Sequence, residues 1–270
     1  MKAPTYENLI PSHKFSPRDV FNDEGGREEA TKLLTNLFHH LDIEVGKANV
    51  LTETVVALGM ASDSDDEFER RLKAIVSEGD LPQRIERSHA GRSEQIFSQI
   101  APHLDGESTA DIGAGDGKVG KMVADTGQEV RLLDVIDYNE TDLLLEIFDG
   151  DVLPLDDDAV ETSLLLTVLH HCEHPEKVLD EAIRVTRRQI IIIESVYNNE
   201  PERMLQTFLD WFYNRVLRDG VNCPYNFNSP EGWREVFRAK GLTLVDEEDL
   251  GRDQPTAPER HWKFVVEKCL

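Results

Sequence analysis

The sequence predicts an α/β protein: a Rossmann-like, mostly parallel seven-stranded sheet with helices on both faces, preceded by an N-terminal helical region. Three observations predict it. From residue 108 onward, short apolar runs with strand character alternate with helical patterns, as in a parallel sheet covered on both faces. Upstream of residue 108 no strand pattern occurs and the apolar spacing is helical. A glycine-rich turn, Gly113-Ala114-Gly115-Asp116-Gly117, comes after the first strand and opens a helix.

The elements are taken here in chain order. Residues 1–26 read as irregular, apart from Ser16-Pro17, which suits the start of a short turn. Leu33, Leu34, Leu37, Phe38 and Leu41 place a helix from Arg27 to about Gly46. A second covers Val50 to Leu58 with Gly59 as its stop. The acidic stretch Ser62–Asp66 reads as a solvated, helix-capping break. Helices from Phe68 to Ser77 and from Pro82 to Leu104 complete the region 1–105. In 106–270, strands are expected at Thr109–Ile112, Val130–Val135, Glu146–Phe148, Glu161–Leu166, Gln189–Glu194, Leu242–Glu247 and Trp262–Glu267. Helices are expected at Lys118–Thr126, Pro175–Val185, Pro201–Arg218 and Pro230–Lys240.

Composition narrows the function. With 270 residues, 39% hydrophobic and 30% charged, the chain can bury a real core. Asp and Glu number 53 against 29 Lys and Arg, a net charge of −24 that repels phosphate backbones and argues against nucleic-acid partners. Only 11 of the 29 basic residues are lysine, a balance shared by proteins of salty cytoplasms and by ordinary acidic bacterial proteins. No aliphatic run exceeds four residues, against the ~20 a bilayer span needs, so no membrane association is expected. The start MKAPTYENLI lacks the apolar core of a signal peptide. Cys172, Cys223 and Cys269 are far apart, which predicts a reducing, cytoplasmic setting. Neither they nor the scattered histidines show metal-ligand spacing, so no metal is expected.

The glycine turn leaves two ligand classes open. Gly115, Gly117 and Gly120 match a dinucleotide spacing, but counted from Gly113 the third glycine position is Lys118. A pyrophosphate at this turn would lie near Asp111 and Asp116, whereas a sulfonium and an ammonium suit an acidic turn. Here a resemblance enters. Residues from Asp111 to about Val196, and DIGAGDG at 111–117 in particular, resemble the class I S-adenosyl-L-methionine (SAM)-dependent methyltransferases, especially the small-molecule "type 11" branch.

The resemblance implies SAM as cofactor, S-adenosyl-L-homocysteine as product, and methyl transfer to an O, N or C atom of a small molecule. It implies cofactor binding by Asp111, Gly113, Ala114 and Gly115. Asp134, 21 residues after Gly113, would accept both ribose hydroxyls, in preference to Asp137. Asp149, four residues before the Leu153-Pro154 pair, would accept the adenine amino group, with Phe148 or Gly150 along the ring. Asp151 and Asp156–Asp158 read as solvated loop acids.

Val168-Leu169-His170-His171 resembles the family's "VLHH" segment. In some related O-methyltransferases a histidine here pairs with a carboxylate at the end of strand five, which is Glu194 in this chain. Two readings stand: a base formed by His170 or His171 with Glu194, His170 slightly favoured, or a histidine pair that only walls the turn. His174 and Cys172 read as structural, and His261 as part of a surface turn. The resemblance further implies a substrate wall or lid at 197–227, where helical spacing also suits core packing. The upstream helices would cap the cofactor, cover substrate or make a homodimer, with Arg84, Arg87 or Arg92 reaching the cofactor carboxylate. Rival readings are a non-catalytic SAM-binding protein and a nicotinamide-dependent oxidoreductase.

Overall fold

The computed structural model describes residue 11 and residues 13–77, 80–88, 90–217, 221–254 and 257–268. The N-terminal part is helical: α1 Asp19–Asn22, α2 Glu24–His40, α3 Val45–Ala61, α4 Asp65–Ser77, α5 Leu81–Ser88 and α6 Arg92–Ile100. The strands are β1 Ser108–Ile112, β2 Glu129–Asp134, β3 Leu145–Ile147, β4 Val160–Leu166, β5 Thr186–Ser195, β6 Leu242–Gln254 and β7 Ala257–Lys268. Between them lie α7 Lys118–Asp125, α8 Pro175–Val185, α9 Glu200–Trp211 and α10 Pro230–Ala239.

The seven strands form one sheet in the order β3-β2-β1-β4-β5-β7-β6. The first five run parallel, and β7 returns antiparallel between β5 and β6. The order reverses between β1 and β4, which in open α/β sheets marks the ligand crevice at the strands' C-terminal ends. Ile112, Asp134, Leu166 and Ser195 end at that edge.

Both faces are covered, for the reason the alternation predicts. On one face, Val178, Leu179, Ala182 and Val185 of α8 and Trp233, Val236 and Phe237 of α10 bury against Ala110, Ile112, Ile190, Ile192 and Phe264. On the other, Ile96 and Ile100 of α6 and Val123 of α7 meet Leu164, Ile191, Ile193 and Val265. Burying one such side chain contributes roughly 1.5–3 kcal/mol. Helix starts coincide with capping residues: Asp23, Asn199 and Ser229 each accept a backbone N–H from the first turn of α2, α9 and α10.

Several boundaries differ from the expectation. The helix expected over Arg27–Gly46 is α2, ending at His40, because Asp42 turns at φ 56° and Glu44 caps α3 by accepting from the amides of Gly46 and Lys47. The helix expected over Pro82–Leu104 breaks at Gly91, φ 91°, into α5 and α6 and then a 3-10 turn at Ala101–His103. The helix expected over Pro201–Arg218 is α9 continued by a π turn at Phe212–Val216; Arg218, like Cys269 and residues 1–10, lies outside the described residues. The β6–β7 hairpin is longer than the two short strands expected.

The third core joins distant segments. Phe21 of α1, Leu34, Leu37 and Phe38 of α2, Val55 of α3 and Phe68 and Leu72 of α4 pack with Leu205, Phe208, Trp211 and Phe212. Stacking of Phe68 on Trp211, centroids 4.8 Å apart, and an edge contact of Phe21 on Phe208 at 4.9 Å sit at its centre. The segment expected as a lid therefore shares its core with the N-terminal helices, while α6 lies on the sheet.

Gly59 does not stop a helix. It lies inside α3, where a Cβ would come within 2.7 Å of Cε2 of the Phe21 ring. Gly59→Ala should therefore lower stability by about 1–3 kcal/mol, the usual overpacking range, although alanine favours an isolated helix by ~1 kcal/mol. Urea unfolding midpoints test this; an equal or more stable variant would show that the contact is not a constraint.

Candidate active site

The glycine turn hangs from the end of β2. The amides of Gly113 and Ala114 both donate to the Leu133 carbonyl, at 2.7 and 3.1 Å. Gly113 takes φ 74° and a Cβ there would meet Val168 Cγ2 at 2.6 Å, so only glycine lets the segment after β4 lie against the turn. Gly115 differs: at φ 56° its missing Cβ would point into open space, leaving the backbone approachable.

Asp134 is buried at the end of β2. Its Oδ2 accepts from the Gly115 amide at 2.8 Å, and its Oδ1 accepts from the amides of Val135 and Ile136 at 2.7 and 3.3 Å. These bonds fix the carboxylate and leave further lone pairs on both oxygens. Asp137 is exposed. The Gly115 amide, which a dinucleotide turn would direct towards pyrophosphate, is already committed to a carboxylate.

The other acids of the turn do different work from the expectation. Asp116 is half-buried and paired with Lys118 at 2.9 Å, so its charge is answered locally. Asp111 is buried on the face that carries α6 and α7, with Oδ2 lacking a hydrogen-bond partner. Burial, reinforced by the charge of Asp134, pushes its carboxyl up to about 7. Asp111 thus lies under the turn.

Asp149 is exposed on the loop after β3. Its Oδ1 accepts from the amides of Asp151 and Val152 at 2.9 and 3.0 Å, which hold its carboxyl below the usual range. Gly150 beside it takes φ 87°. Asp151 pairs with Lys177 at 3.0 Å and Asp157 with Arg184 at 2.9 Å, as surface acids do.

The turn after β4 is strained and strongly held. Thr167 takes φ 60°, rare for a β-branched residue, with its amide donating to Ile193 O at 2.6 Å. Glu194, fully buried at the end of β5, holds the next three residues of the turn. Its Oε1 accepts from the amides of Val168 and Leu169 at 3.0 and 2.6 Å, and its Oε2 accepts from Ser195 N at 3.2 Å and lies 2.6 Å from His170 Nδ1. His170 stacks on Phe227, centroids 5.2 Å apart. Burial alone would lower its imidazole, but the Glu194 carboxylate outweighs this and raises it to about 9.

His171 is the opposite case. Its Nδ1 lies 2.8 Å from the Asn222 carbonyl, and since a carbonyl only accepts, Nδ1 carries the proton. Burial and then the charge of His170 lower it to about 3. Its Nε2 lone pair therefore faces inward, and His171, not the favoured His170, is the neutral imidazole.

Asp210 of α9 completes the cluster and is not among the residues the motifs pointed to. It is 1% exposed, and its Oδ1 lies 3.8 Å from His170 Nε2 and 3.6 Å from His171 Nε2. Burial raises its carboxyl against the pull of His170. An acid within the apolar run Phe208–Phe212, on the helix's buried side, was the available signal. His261 also departs from the expectation: it is buried in β7, opposite Ser195, with Nε2 3.6 Å from Glu259. Arg84 is engaged with Asp80 and the Leu41 carbonyl, and Arg87 is exposed. Arg92, at the start of α6, is the one of the three whose charge acts on buried Glu259 and Tyr213.

Comparison with known proteins agrees with this architecture. Residues 110–193 match the family model described as a methyltransferase domain. No curated protein matches the sequence. A geranyl diphosphate methyltransferase solved with SAM superposes with a TM-score of 0.53 at 12% identity, over 71% of this chain and 91% of that one. A SAM-dependent methyltransferase from Methanosarcina mazei gives 0.51 at 13% identity, over 63% and 97%. A protein from Pyrococcus horikoshii OT3 gives 0.51 at 17%, over 67% and 91%. The fold is that of the class I SAM-dependent methyltransferases. Among the described residues no helix is long and apolar enough to cross a membrane.

Asp111 gives a pH test. Its folded-state value, about 7, lies above its ordinary 3.8, so its contribution to stability is complete below about pH 4 and lost as pH rises through 7. Asp111→Asn should therefore gain stability relative to the wild type across that interval. Melting curves from mildly acidic to neutral pH check it; parallel curves for the two proteins would refute the assignment.

Proposed function

We propose that the protein is a SAM-dependent methyltransferase acting on an oxygen or nitrogen atom of a small molecule. The observation that carries the reading is the pairing of an open Gly115 cradle with the buried Asp134 carboxylate, beside a strained turn that presents two histidines. When bound, SAM supplies an electrophilic methyl group on a sulfonium. Asp134 is suited to the ribose hydroxyls, because its oxygens keep acceptor capacity after three backbone bonds. Asp149 and Gly150 form the loop suited to adenine, and Gly113 and Ala114 set the backbone path beside them. Arg92 is the candidate for the amino-acid carboxylate. Asp111 supports the turn from beneath.

In-line transfer requires a positioned acceptor and exclusion of water. Glu194 fixes the turn that carries His170 and His171, and α9 lays Asp210 over them. The cluster presents a lone pair and a carboxylate, so it suits withdrawal of a proton from an acceptor hydroxyl or amine. Phe227 supplies buried aromatic surface against the His170 ring. The net charge of −24 opposes a nucleic-acid substrate.

Calorimetry with SAM and NAD in parallel tests the reading. SAM should bind and NAD should not. Asp134→Ala should weaken SAM by roughly ten- to more than hundredfold, matching ~1.5–3 kcal/mol for a charged hydrogen-bond partner. Unchanged affinity in a folded Asp134→Ala protein, or preferential binding of NAD, would overturn it.

A further inference from the structure

His170, His171 and Asp210 do not form the hydrogen bonds their proximity suggests. The imidazole Nε2 atoms stand 3.8 and 3.6 Å from Asp210 Oδ1, too far for good hydrogen bonds. Yet one ligand atom from each residue lies within 4.8 Å of the other two. Tetrahedral ligands ~2.0–2.2 Å from one ion stand roughly 3.3–3.6 Å apart, close to the 3.6 and 3.8 Å between Asp210 Oδ1 and the two Nε2 atoms.

Their outer partners complete the pattern. A metal-binding histidine ordinarily donates its second ring N–H to a carboxylate or a backbone carbonyl, which fixes the tautomer and aims the other nitrogen. His170 Nδ1 has Glu194 Oε2 at 2.6 Å, and His171 Nδ1 has the Asn222 carbonyl at 2.8 Å. Both Nε2 atoms are thereby turned to the same place. Asp210 is oriented too: its Oδ1 accepts from Asn214 Nδ2 at 2.9 Å, and the Cys223 thiol acts on the same carboxylate.

We propose that His170 Nε2, His171 Nε2 and Asp210 form a binding site for a divalent first-row cation of the zinc type, held by two imidazoles and one carboxylate with a further position open. That donor set is the one catalytic zinc sites use.

Its role in transfer rests on the methyltransferase reading; the site itself does not. With the ion bound, the imidazole lone pairs and the Asp210 carboxylate serve as ligands in place of the base; the open position takes the hydroxyl oxygen of the acceptor and lowers its pKa. The O–H bond breaks and its proton passes to solvent. An oxygen electron pair then forms the new O–C bond to the methyl carbon. The C–S bond breaks with its pair remaining on sulfur, which leaves a neutral thioether. The inference thus selects a hydroxyl-bearing small molecule as acceptor.

The test uses the 270-residue chain, stripped with a chelator and titrated with Co2+, whose ligand-field absorption reports a low-symmetry nitrogen and oxygen site. One equivalent should bind, and Zn2+ should displace it and bleach the band. His171→Ala, which alters a partly exposed side chain, should weaken uptake by at least the ~10–100-fold that loss of even an outer partner costs. Asp210→Ala should do the same, with circular dichroism confirming the fold. SAM affinity is measured alongside. SAM binding without stoichiometric Co2+ uptake overturns the ion and leaves the transferase reading. Uptake that His171→Ala does not weaken also overturns it. Uptake without SAM binding supports the site and removes its role in methyl transfer.

Discussion

The crevice depends on one buried carboxylate. Glu194 ends β5 inside the protein, fully desolvated, and such a charge is tolerable only if its lone pairs are filled. The two amides after Thr167, the Ser195 amide and the His170 ring fill them. The positive φ of Thr167 is the local cost of that arrangement, of order 1–3 kcal/mol, and the bonds to Glu194 offset it. Because Val168 packs against Gly113, fixing this turn also fixes its spacing from the glycine turn. The two halves of the crevice are set by a single interaction.

The helical layer then closes the other side. Its core is built from α1–α4 together with α9 and the π turn, so α9 cannot move far without opening that core. Asp210 is carried on α9, and this couples the cluster to the N-terminal helices through ordinary apolar packing. The segment that reads as a lid contributes Leu205, Phe208, Trp211 and Phe212 to the core it shares with α1–α4.

The sheet was legible because its signals are local. Alternating runs, capping residues and the glycine turn predicted most of the helices and placed the strands of the sheet. Asp134 and the Glu194–His170 pair came from a family resemblance anchored on short motifs, and the register brings them to one edge. What escaped is non-local. Gly59 looks like a helix stop until Phe21 is seen against it. Asp210 is 40 residues from His170 in the chain, and only the packing of Phe68 on Trp211 and its neighbours turns it inward. His261 resembles a loop residue because the hairpin is longer than its apolar run. The acidity of Asp111 likewise reads as ligand-facing until its side of the sheet is known.

The central claim is that Glu194 holds the histidine-bearing turn in place. Residue-resolved hydrogen exchange in Glu194→Leu tests it most directly, since leucine keeps similar bulk and removes both oxygens. The account predicts that protection of the Val168 and Leu169 amides falls by roughly ten- to hundredfold, in line with ~1.5–3 kcal/mol for hydrogen bonds to a charged group, while the interior amides of β4 and β5 keep theirs. Unchanged protection at Val168 and Leu169 in the folded variant would contradict it.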